Sequence, residues 1–339
     1  MDIKTNIPLK KYTTMALGGN ARFMADATTP DKAAGLYRSA KQQNLPVFIL
    51  GGGSNTIVKD EGFNGMVIRI RIPGFEKLDE DASSMTIRIG AGEIWDSVVE
   101  RTVQLGLSGI EAMSAIPGSA GAAPVQNVGA YGQEIADTLV ELEAYDTTTD
   151  QFVTIPRNQC GFAYRDSIFR SSQIGRYIIT TISLKLSKHS PQPPFYAALQ
   201  QYLDQNGQTI YTPQVIRDAV TAIRAQKLPD PTIKPNTGSF FKNAIVESWQ
   251  LDDLKDSYPD VPYYDMGDGR YKVPTGWLIE QTGLKGQLIH GMRVNPANAL
   301  VLINESATGY ADLAAARAEI IGAVRDQFRI TIVQEPLEI

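Results

Sequence analysis

Apolar and polar residues alternate in several short runs in the first half of the chain, a pattern that predicts strands. The runs MVIRIRI (66–72), MTIRIGAG (85–92) and ISLKL (182–186) each predict a strand with one buried face. The continuous apolar run 47–50 predicts a buried strand, which the glycines of GGGSN (51–55) end. Strands are therefore expected to form the framework of this half of the molecule.

Two stretches instead carry apolar residues at the spacing of a helix. The first helix is predicted to begin at Glu93 and to stop at Gly106. The second is predicted to begin at Pro213, behind a Thr212 cap, and to end at LPDP (228–231). Their predicted apolar faces are Trp95, Val98, Val99 and Val103 for the first helix, and Val215, Ile216, Ala219, Val220 and Ile223 for the second.

The C-terminal part predicts a βαβ-like arrangement. The runs ALVLI (299–303) and ITIV (330–333) predict strands on either side of a helix, and parallel neighbours would need a right-handed crossover. Earlier in the chain, LVELEAYD and QFVTI on either side of 147–150 predict a hairpin. Since strands dominate the first half and helices the second, the predicted fold class is α+β with separable domains. The face of the C-terminal helix is predicted to be Leu313, Ala316, Ile320, Val324 and Phe328.

Length and charge narrow the class of protein. With 339 residues, 43 % of them hydrophobic, the chain is long enough for two or three domains with full-sized cores. Its formal net charge of −5 and its scattered lysines and arginines argue against the basic face of a nucleic-acid-binding protein. The N-terminal run MDIKTNIPLKKY lacks the apolar region of a signal peptide, so we expect a soluble cytoplasmic protein with no membrane partner.

Few residues are available for thiol, imidazole or metal chemistry. Cys160 is the one cysteine, so an internal disulfide or a CxxC metal site is excluded and a reducing compartment is expected. His189 and His290 are the two histidines, and neither lies in a known Ser-His-Asp motif. We therefore expect no metal in this protein.

Two segments rich in glycine and alanine indicate a ligand. GGGSN (51–55) follows a predicted strand, and IPGSAGAAPVQNVGAYGQ (116–133) carries no charged residue. Small residues let backbone N–H groups turn towards a pyrophosphate, although the GxGxxG spacing of a Rossmann fold is absent. A tight turn explains the first segment alone and a packing loop explains the second alone. Together they favour a bound dinucleotide cofactor.

Several motifs occur in the order found in one enzyme family. They are ILGGGSN, IPGSAGAAPVQNVGAYG, CGFAYRDSIF, KLPDP, NTGSFFKNA and GWLIEQTGLKG. The chain thereby resembles the UDP-N-acetylenolpyruvoylglucosamine reductases, flavoenzymes that complete UDP-N-acetylmuramate for the bacterial cell wall. PPFYAAL, after the strand predicted at 182–186, resembles the long-loop (type I) subtype of that family.

The resemblance implies an FAD-binding fold of the vanillyl-alcohol-oxidase/PCMH type and a C-terminal α+β substrate-binding domain. Residues 1–70 with 330–339 would form the first FAD-binding subdomain, and residues 71–225 the second, with a tyrosine loop. Residues 226–329 would form the substrate-binding domain. The resemblance also implies FAD as cofactor, NADPH as co-substrate, a sugar nucleotide as substrate and a monomeric enzyme.

The resemblance also assigns binding residues. The implied cofactor residues are Gly51, Gly52, Gly53, Ser54, Asn55, Pro117, Gly118, Ser119, Gly121, Ala122, Ala123, Asn127, Gly129, Ala130 and Tyr164. The implied substrate residues are Tyr196, Lys227, Asn243 and Asn298. The residue pattern alone leaves simpler roles open, since Tyr196 is also explained as an exposed aromatic and Lys227 as a favourable charge at a helix C-terminus.

Three catalytic roles follow from the same resemblance. Ser239, in PNTGSFFKNA (235–244), would donate a proton to carbon, and Arg165 would bind the carboxylate of the substrate through its planar fork. The pattern alone favours a buried structural serine, and it leaves open a structural salt bridge between Arg165 and Asp166. Glu335 is the third implied residue.

The C-terminus departs from the family pattern beside that third residue. The family usually continues Glu-Val-Arg, whereas Pro336 and Leu337 follow Glu335 here, and Glu338 is a competing choice. Two other functions stay open: a flavin oxidase with FAD attached through His or Cys, and a sugar-nucleotide-binding protein without chemistry. The absence of His and Cys from both glycine segments argues against the first, and the presence of Ser239 and Arg165 argues against the second.

Overall fold

The computed structural model describes residues 2–339. Their strands are β1 Lys4–Pro8, β2 Asn20–Ala27, β3 Val47–Leu50, β4 Thr56–Ile57, β5 Phe63–Ile70, β6 Phe75–Glu80, β7 Ser84–Gly90, β8 Gly129–Ala130, β9 Gln133–Glu134, β10 Leu139–Asp146, β11 Gln151–Pro156, β12 Tyr177–Ser187, β13 Ala244–Glu247, β14 Tyr264–Asp265, β15 Arg270–Val273, β16 Leu288–Ile289, β17 Met292–Val294, β18 Leu302–Asn304 and β19 Leu337–Glu338. Their α-helices are α1 Pro30–Gln42, α2 Trp95–Gln104, α3 Ile135–Thr138, α4 Ala197–Gln205, α5 Pro213–Lys227, α6 Ser248–Ser257, α7 Thr275–Gln281 and α8 Tyr310–Phe328.

The first of two compact units contains residues 2–7, Ala21–Gly53 and Phe63–Ala225. Its first sheet has the order β1-β2-β5-β3, in which β5 runs parallel to both β2 and β3. Met66, Val67 and Ile68 are consecutive and buried, so both faces of this part of β5 are covered, as is usual for strands with parallel neighbours, whose faces pack against other elements. The prediction of one buried face was therefore wrong for this strand.

The second sheet of this unit has the order β11-β10-β12-β7-β6 and is antiparallel. The predicted hairpin is confirmed, since Asp146 on β10 pairs with Gln151 on β11. Helix α2 is also confirmed, and its four predicted apolar residues are buried. Trp95 anchors this helix by donating its indole N–H to the Met113 carbonyl (3.1 Å).

Helices α4 and α5 pack together through a small apolar cluster in the same unit. Thr212 caps α5 as predicted, because its Oγ1 accepts the N–H of Val215 (3.2 Å). Arg217 on α5 donates two hydrogen bonds to Asp96 on α2 (2.7 and 3.0 Å), and this ion pair joins α5 to α2. The buried residues of the cluster are Ala112, Leu199, Leu203, Ile216, Ala219, Val220 and Ile223.

The second unit contains Pro8–Asn20, Ser54–Gly62 and Gln226–Ile339. Its sheets have the orders β13-β15-β14 and β16-β17-β18, and β19 pairs in parallel with β4. Helix α8 spans Tyr310–Phe328 and buries one apolar face in the core of this unit, as predicted. The buried residues of that face are Leu313, Ala316, Ile320 and Val324.

The predicted βαβ tail was wrong. β18 lies in an antiparallel sheet, and the run 330–333 forms no strand. Ile330 and Ile332 are buried whereas Val333 is 57 % exposed, so the alternation reflects burial of two side chains without a ladder. Parallel pairing of the C-terminus occurs instead at β19.

Both units mix helices with sheets, which confirms the α+β class. The division into three domains stays a prediction. Residues 330–339 lie in the second unit, where the N–H of Leu337 donates to the Asn55 carbonyl (2.9 Å). Within residues 2–339, each helix is too short or too polar to cross a membrane.

Candidate active site

The glycines of the first segment predicted to hold a cofactor, residues 51–53, lie against the second segment in the first unit. A Cβ atom on Gly52 would fall 2.8 Å from the Gly118 Cα, and one on Gly51 would fall 2.6 Å from the Ser119 Oγ. Gly53 adopts a φ of +69°, which side chains disfavour. Glycine is therefore required where β3 meets the segment that follows α2.

We call the close approach of residues 51–53 to residues 118 and 119 the glycine cradle. The Ser119 side chain places a buried hydroxyl in it. Ser119 is 7 % exposed, and its Oγ has no hydrogen-bond partner among the described residues. The backbone on either side is fixed, because the backbone N–H of Trp95 donates to the Gly118 carbonyl (3.1 Å) and that of Ala120 to the Glu93 carbonyl (2.8 Å). An unpaired buried hydroxyl costs about 1–3 kcal/mol, and a ligand oxygen at this position would remove that cost. The diphosphate of FAD, which is rich in acceptor oxygens, fits this donor.

The remaining part of the small-residue segment is attached to the FAYRDS turn. Asn127 has a φ of +47°; its Nδ2 donates to the Ala163 carbonyl (3.1 Å), and its Oδ1 accepts the Ala136 N–H (3.2 Å). Ser167 Oγ donates to the Val125 carbonyl (2.6 Å). The structure thus brings Asn127 together with the turn that carries Tyr164 and Arg165. The other predicted cofactor residues of the segment, Pro117, Gly121, Ala122, Ala123, Gly129 and Ala130, lie along the same stretch of backbone.

Arg165 stands at the tip of a tight turn. Ala163 and Asp166 exchange two backbone hydrogen bonds (3.1 Å each), and Arg165 adopts a φ of +53°. This backbone conformation is unfavourable for a non-glycine residue, and sites of this kind cluster at functional positions. The guanidinium Nη2 donates to the Gly129 carbonyl (2.8 Å), a neutral acceptor that orients the group.

A second guanidinium, that of Arg224 on α5, lies in the same region. Its Nε donates to the Ala115 carbonyl (3.3 Å). Burial lowers the pKa of Arg224; the nearby Tyr131 and Asp96 oppose that change, and the charge of Arg165 reinforces it. Two neighbouring cations favour an anionic ligand. Sequence reasoning missed Arg224, because nothing in the pattern separates it from Arg217 on the same helix.

The ring of Tyr196 lies beside Tyr131, near the end of the small-residue segment 116–133. Its ring meets that of Tyr131 edge-on, with centroids 6.0 Å apart and planes at 87°. Its carbonyl accepts the N–H groups of Leu199 and Gln200, so the residue starts α4, and 39 % of it is exposed. An exposed aromatic is what the simpler interpretation predicted, yet its position beside Tyr131 is compatible with contact to a ligand.

In the second unit, Ser239 and Glu335 lie on adjoining segments. Phe240 donates its N–H to the Leu300 carbonyl (2.7 Å), and its carbonyl accepts the N–H of Glu335 (2.8 Å). This register places Ser239 next to the residue that faces Glu335. Phe240 and Phe241 are buried, which anchors the segment as expected. Glu335 is itself 8 % exposed, whereas Ser239 is half-buried.

The turn before Ser239 is held by Asn236. Its Oδ1 accepts the N–H of Gly238 (2.7 Å), and its Nδ2 donates to the carbonyls of Pro229 (3.0 Å) and Lys234 (2.7 Å). Gly238 has a φ of +70°, so a side chain there would strain the turn. The position of the hydroxyl therefore depends on a glycine and an amide that precede it.

The substrate residues Asn243 and Asn298 meet at the first turn of α7. Asn243 Oδ1 accepts the N–H of Thr275 (3.1 Å), and a Cβ on Gly276 would fall 3.6 Å from Asn298 Oδ1. Lys227 is joined to the same region, since its carbonyl accepts a hydrogen bond from Asn295 Nδ2 (3.1 Å). The second unit thus brings three of the four predicted substrate residues together.

Two predicted cofactor residues, Ser54 and Asn55, lie in the second unit. The Ser54 carbonyl accepts a hydrogen bond from Thr14 Oγ1 (3.4 Å), and the Asn55 carbonyl accepts the Leu337 N–H (2.9 Å). Their role towards a cofactor stays a prediction.

Glu338, the competitor of Glu335, is held in an ion pair. Its carboxylate lies 2.6 Å from Arg317 Nη1 and 3.4 Å from Lys59 Nζ. Burial alone would raise the pKa of Glu338, but hydrogen bonds from Arg317 and Tyr310 hold it below the usual range. A charged, paired carboxylate is poorly suited to protonate or polarise a substrate. The choice of Glu335 as the third catalytic residue stays a prediction.

Comparison with known proteins agrees with this geometry. A family described as an FAD binding domain matches residues 21–154, and the family described as the C-terminal domain of UDP-N-acetylenolpyruvoylglucosamine reductase matches residues 230–339. A solved structure of the enzyme from Thermus caldophilus has a TM-score of 0.67 at 22 % identity, over 98 % of this chain and 97 % of the other, which shows a shared fold.

Two relatives match along the whole chain, and both carry the name UDP-N-acetylenolpyruvoylglucosamine reductase. The relative from Dechloromonas aromatica is 39 % identical over 99 % of both chains. The relative from Amoebophilus asiaticus is 38 % identical over 99 % of this chain and 98 % of its own. The fold class, an FAD-binding domain followed by a C-terminal α+β domain, is therefore confirmed. At this identity over the full length, the chain belongs to the UDP-N-acetylenolpyruvoylglucosamine reductase family.

Proposed function

We propose that this protein uses FAD and NADPH to reduce the enolpyruvyl group of UDP-N-acetyl-3-O-(1-carboxyvinyl)-glucosamine to UDP-N-acetylmuramate, a peptidoglycan precursor. The observation that carries the proposal is the glycine cradle with its buried Ser119 hydroxyl, in a chain of this family. The residues that would hold FAD are those of the cradle, together with Asn127 and Tyr164. Bound FAD would supply the hydride-transfer chemistry, by which a hydride from NADPH reaches the terminal vinyl carbon of the substrate.

Arg165 would bind the carboxylate of the substrate. Hydride addition leaves negative charge on the carbon beside that carboxylate, and the charge spreads into the carboxylate oxygens. A guanidinium fork matches a carboxylate with two parallel hydrogen bonds. The contact with Gly129 holds the fork in place before the substrate arrives, which is the preorganisation that stabilises developing charge.

Ser239 would then donate the proton that completes the product. A serine hydroxyl is a weak acid, so the step requires a strongly basic carbon and close contact. The buried Phe240 and Phe241 hold the adjoining backbone rigid. Glu335 in its protonated form would add a hydrogen-bond donor to the enolate, whereas an ionised and unpaired carboxylate would repel it.

Lys227, Asn243, Asn298 and Tyr196 would bind the sugar nucleotide. Lysine is a suitable partner for a diphosphate because its charge is compact. The clustering of three of these residues in the second unit supports this role. We further propose that the protein is a monomer of the cytoplasm; light scattering on the purified protein tests the first of these statements.

Rapid mixing separates the two half-reactions. Purified protein should be yellow, NADPH should bleach it, and the enolpyruvyl sugar nucleotide should restore the colour. Ser239→Ala should bleach normally but recolour about 10²-fold more slowly, the range expected for a lost general acid. Ser306→Ala, an exposed serine of the same unit, is the matched control.

Three results would contradict the proposal. A purified protein that stays colourless with added FAD would exclude the cofactor. Recolouring of Ser239→Ala at the wild-type rate would exclude this serine as the donor. Unimpaired recolouring of Arg165→Lys, which keeps the charge and loses the fork, would exclude a bidentate role for Arg165.

A further inference from the structure

One arginine of α8 holds the chain on both sides of Glu335. Arg317 Nη1 lies 2.5 Å from Gln334 Oε1 and 2.6 Å from Glu338 Oε2. Its Nη2 donates to the hydroxyl of Tyr310 (3.2 Å), one residue of the first turn of the same helix. The guanidinium therefore joins the residue before Glu335 to a residue three positions after it.

The backbone around Glu335 has little regular structure of its own. Residues 330–336 lie outside the strands, and β19 spans Leu337–Glu338. The Gln334 side chain adds a local contact by donating from Nε2 to the Pro336 carbonyl (3.0 Å). The backbone is held by single hydrogen bonds, from the Glu335 N–H to the Phe240 carbonyl (2.8 Å) and from the Leu337 N–H to the Asn55 carbonyl (2.9 Å), and the side-chain contacts add to them.

Helix α8 is a firm support for those contacts. It buries four apolar residues in the core, and the N–H of Tyr310 donates to Asp60 Oδ1 (2.7 Å) at its first residue. The side chains of Arg317 and Glu338 are each 22 % exposed. Hydrogen bonds between ionised groups in such a partly buried setting are stronger than those between neutral groups.

We propose that Arg317 is a positioning residue for Glu335. By holding Gln334 and Glu338 at once, it adds to the backbone hydrogen bonds of Glu335 and Leu337 and restricts the direction of the chain between them, and so the place from which the Glu335 carboxyl acts. The inference rests on the proposed function, because the catalytic role of Glu335 is part of that proposal. Arg317 itself is not required to touch the substrate.

Two substitutions of Arg317 test the inference by rapid mixing. Arg317→Gln removes the charge, and Arg317→Lys keeps it but cannot hold both partners. Both variants should bind FAD and be bleached by NADPH at the wild-type rate, while recolouring by the sugar nucleotide slows between about 10-fold and 10²-fold, as expected for a misplaced catalytic group. The KM for the sugar nucleotide should change little.

Arg325→Gln is the matched control. Arg325 lies on the same helix and pairs at the surface with Asp326, with side chains 60 % and 70 % exposed. Its removal should leave both half-reactions unchanged. If the Arg317 variants do not fold, Gln334→Leu and Glu338→Gln each remove one arm of the contact and should slow recolouring in the same way.

A double substitution separates positioning from general damage. In a Glu335→Gln background, Arg317→Gln should cause no further slowing, because the group that it positions is gone. Independent, multiplicative losses would overturn the inference, and so would equal losses in bleaching and recolouring. Slow recolouring of Glu335→Gln with normal Arg317 variants would refute this inference alone. Normal recolouring of Glu335→Gln would refute the role of Glu335 as well.

Discussion

A substitution of Gly52 tests the proposed FAD site most directly. A Cβ at this position would lie 2.8 Å from the Gly118 Cα, a contact with backbone that no rotamer can relieve. Gly52→Ala should therefore open the cradle and weaken FAD binding by about 10-fold or more, in line with the cost of overpacking. The ratio of flavin to protein absorbance after gel filtration measures this loss.

Gly322→Ala is the control for that substitution. Gly322 lies within α8, where an added methyl group would have open space on every side, so alanine should keep the flavin content and stabilise the helix slightly. Full FAD retention by Gly52→Ala would show that the two segments can separate without cost to the cofactor.

Asp146 provides a prediction of pH dependence. Hydrogen bonds from Arg176 (2.8 Å for the Nη2 contact), only partly opposed by burial, lower the pKa of Asp146 to about 2. The folded value lies below the usual value of about 3.9, so the carboxylate stabilises the fold above roughly pH 4. That contribution is lost as the pH falls towards 2.

Asp146→Asn isolates this contribution. The urea midpoint of the wild type should fall further between about pH 7 and pH 3 than the midpoint of the variant, which has no charge to lose. Equal falls for both proteins would mean that the pair with Arg176 does not contribute to acid sensitivity.

Single residues also show the limits of the sequence. Ser239 and Arg165 were found through motifs, because both stand in short distinctive runs. Arg224 and Arg317 stand in ordinary helical sequence, and their surroundings arise only when distant segments meet. A pattern that reports spacing along one helix contains no information about those neighbours.

At the scale of elements, the N-cap of α5 is the clearest local contribution to the stability of the fold. Thr212 Oγ1 accepts the Val215 N–H at the start of a helix that carries Arg224 and ends at Lys227. Thr212→Ala should lower the free energy of unfolding by about 1 kcal/mol, the usual value of an N-cap. Chemical denaturation measures the change.

Gln208→Ala tests whether any change near this helix has the same effect. Gln208 is exposed and lies before the cap, so the substitution should leave stability within about 0.5 kcal/mol of the wild type. An equal loss in both variants would assign the effect to the loop instead of the cap.

Elements with a strong period were predicted well, and short ones were not. Helices α2, α5 and α8 have apolar faces that burial alone explains. β8, β9 and β19 have two residues each, too few for a period to show. The run 330–333 has the period of a strand but lies in irregular backbone, because alternate burial needs no ladder.

For the whole molecule, cofactor binding and stability should be linked. A ligand that binds only the folded state stabilises it by about 2.7 kcal/mol at 100 times its Kd. The unpaired Ser119 hydroxyl is one source of that difference. Added FAD should therefore raise the melting temperature of protein stripped of flavin, as measured by circular dichroism, whereas riboflavin, which lacks the diphosphate, should raise it less.

The order of the motifs predicted the family and the α+β class, which full-length relatives confirm. The pairing of residues 240–242 with 333–335 could not be predicted from the sequence. Long-range pairing depends on the complementarity of whole surfaces, which no local run encodes. The three-domain division remains a prediction for the same reason.

The long-range pairing of Phe240 predicts that catalytic activity returns late in refolding. Phe240 is bonded to Leu300 on one side and to Glu335 on the other, both far along the chain. Closing such large loops is slow, so collapse of the local helices should precede it. During refolding, fluorescence that reports on burial should therefore recover before the capacity to recolour reduced flavin, since a compact but unfinished molecule would still lack an ordered Ser239.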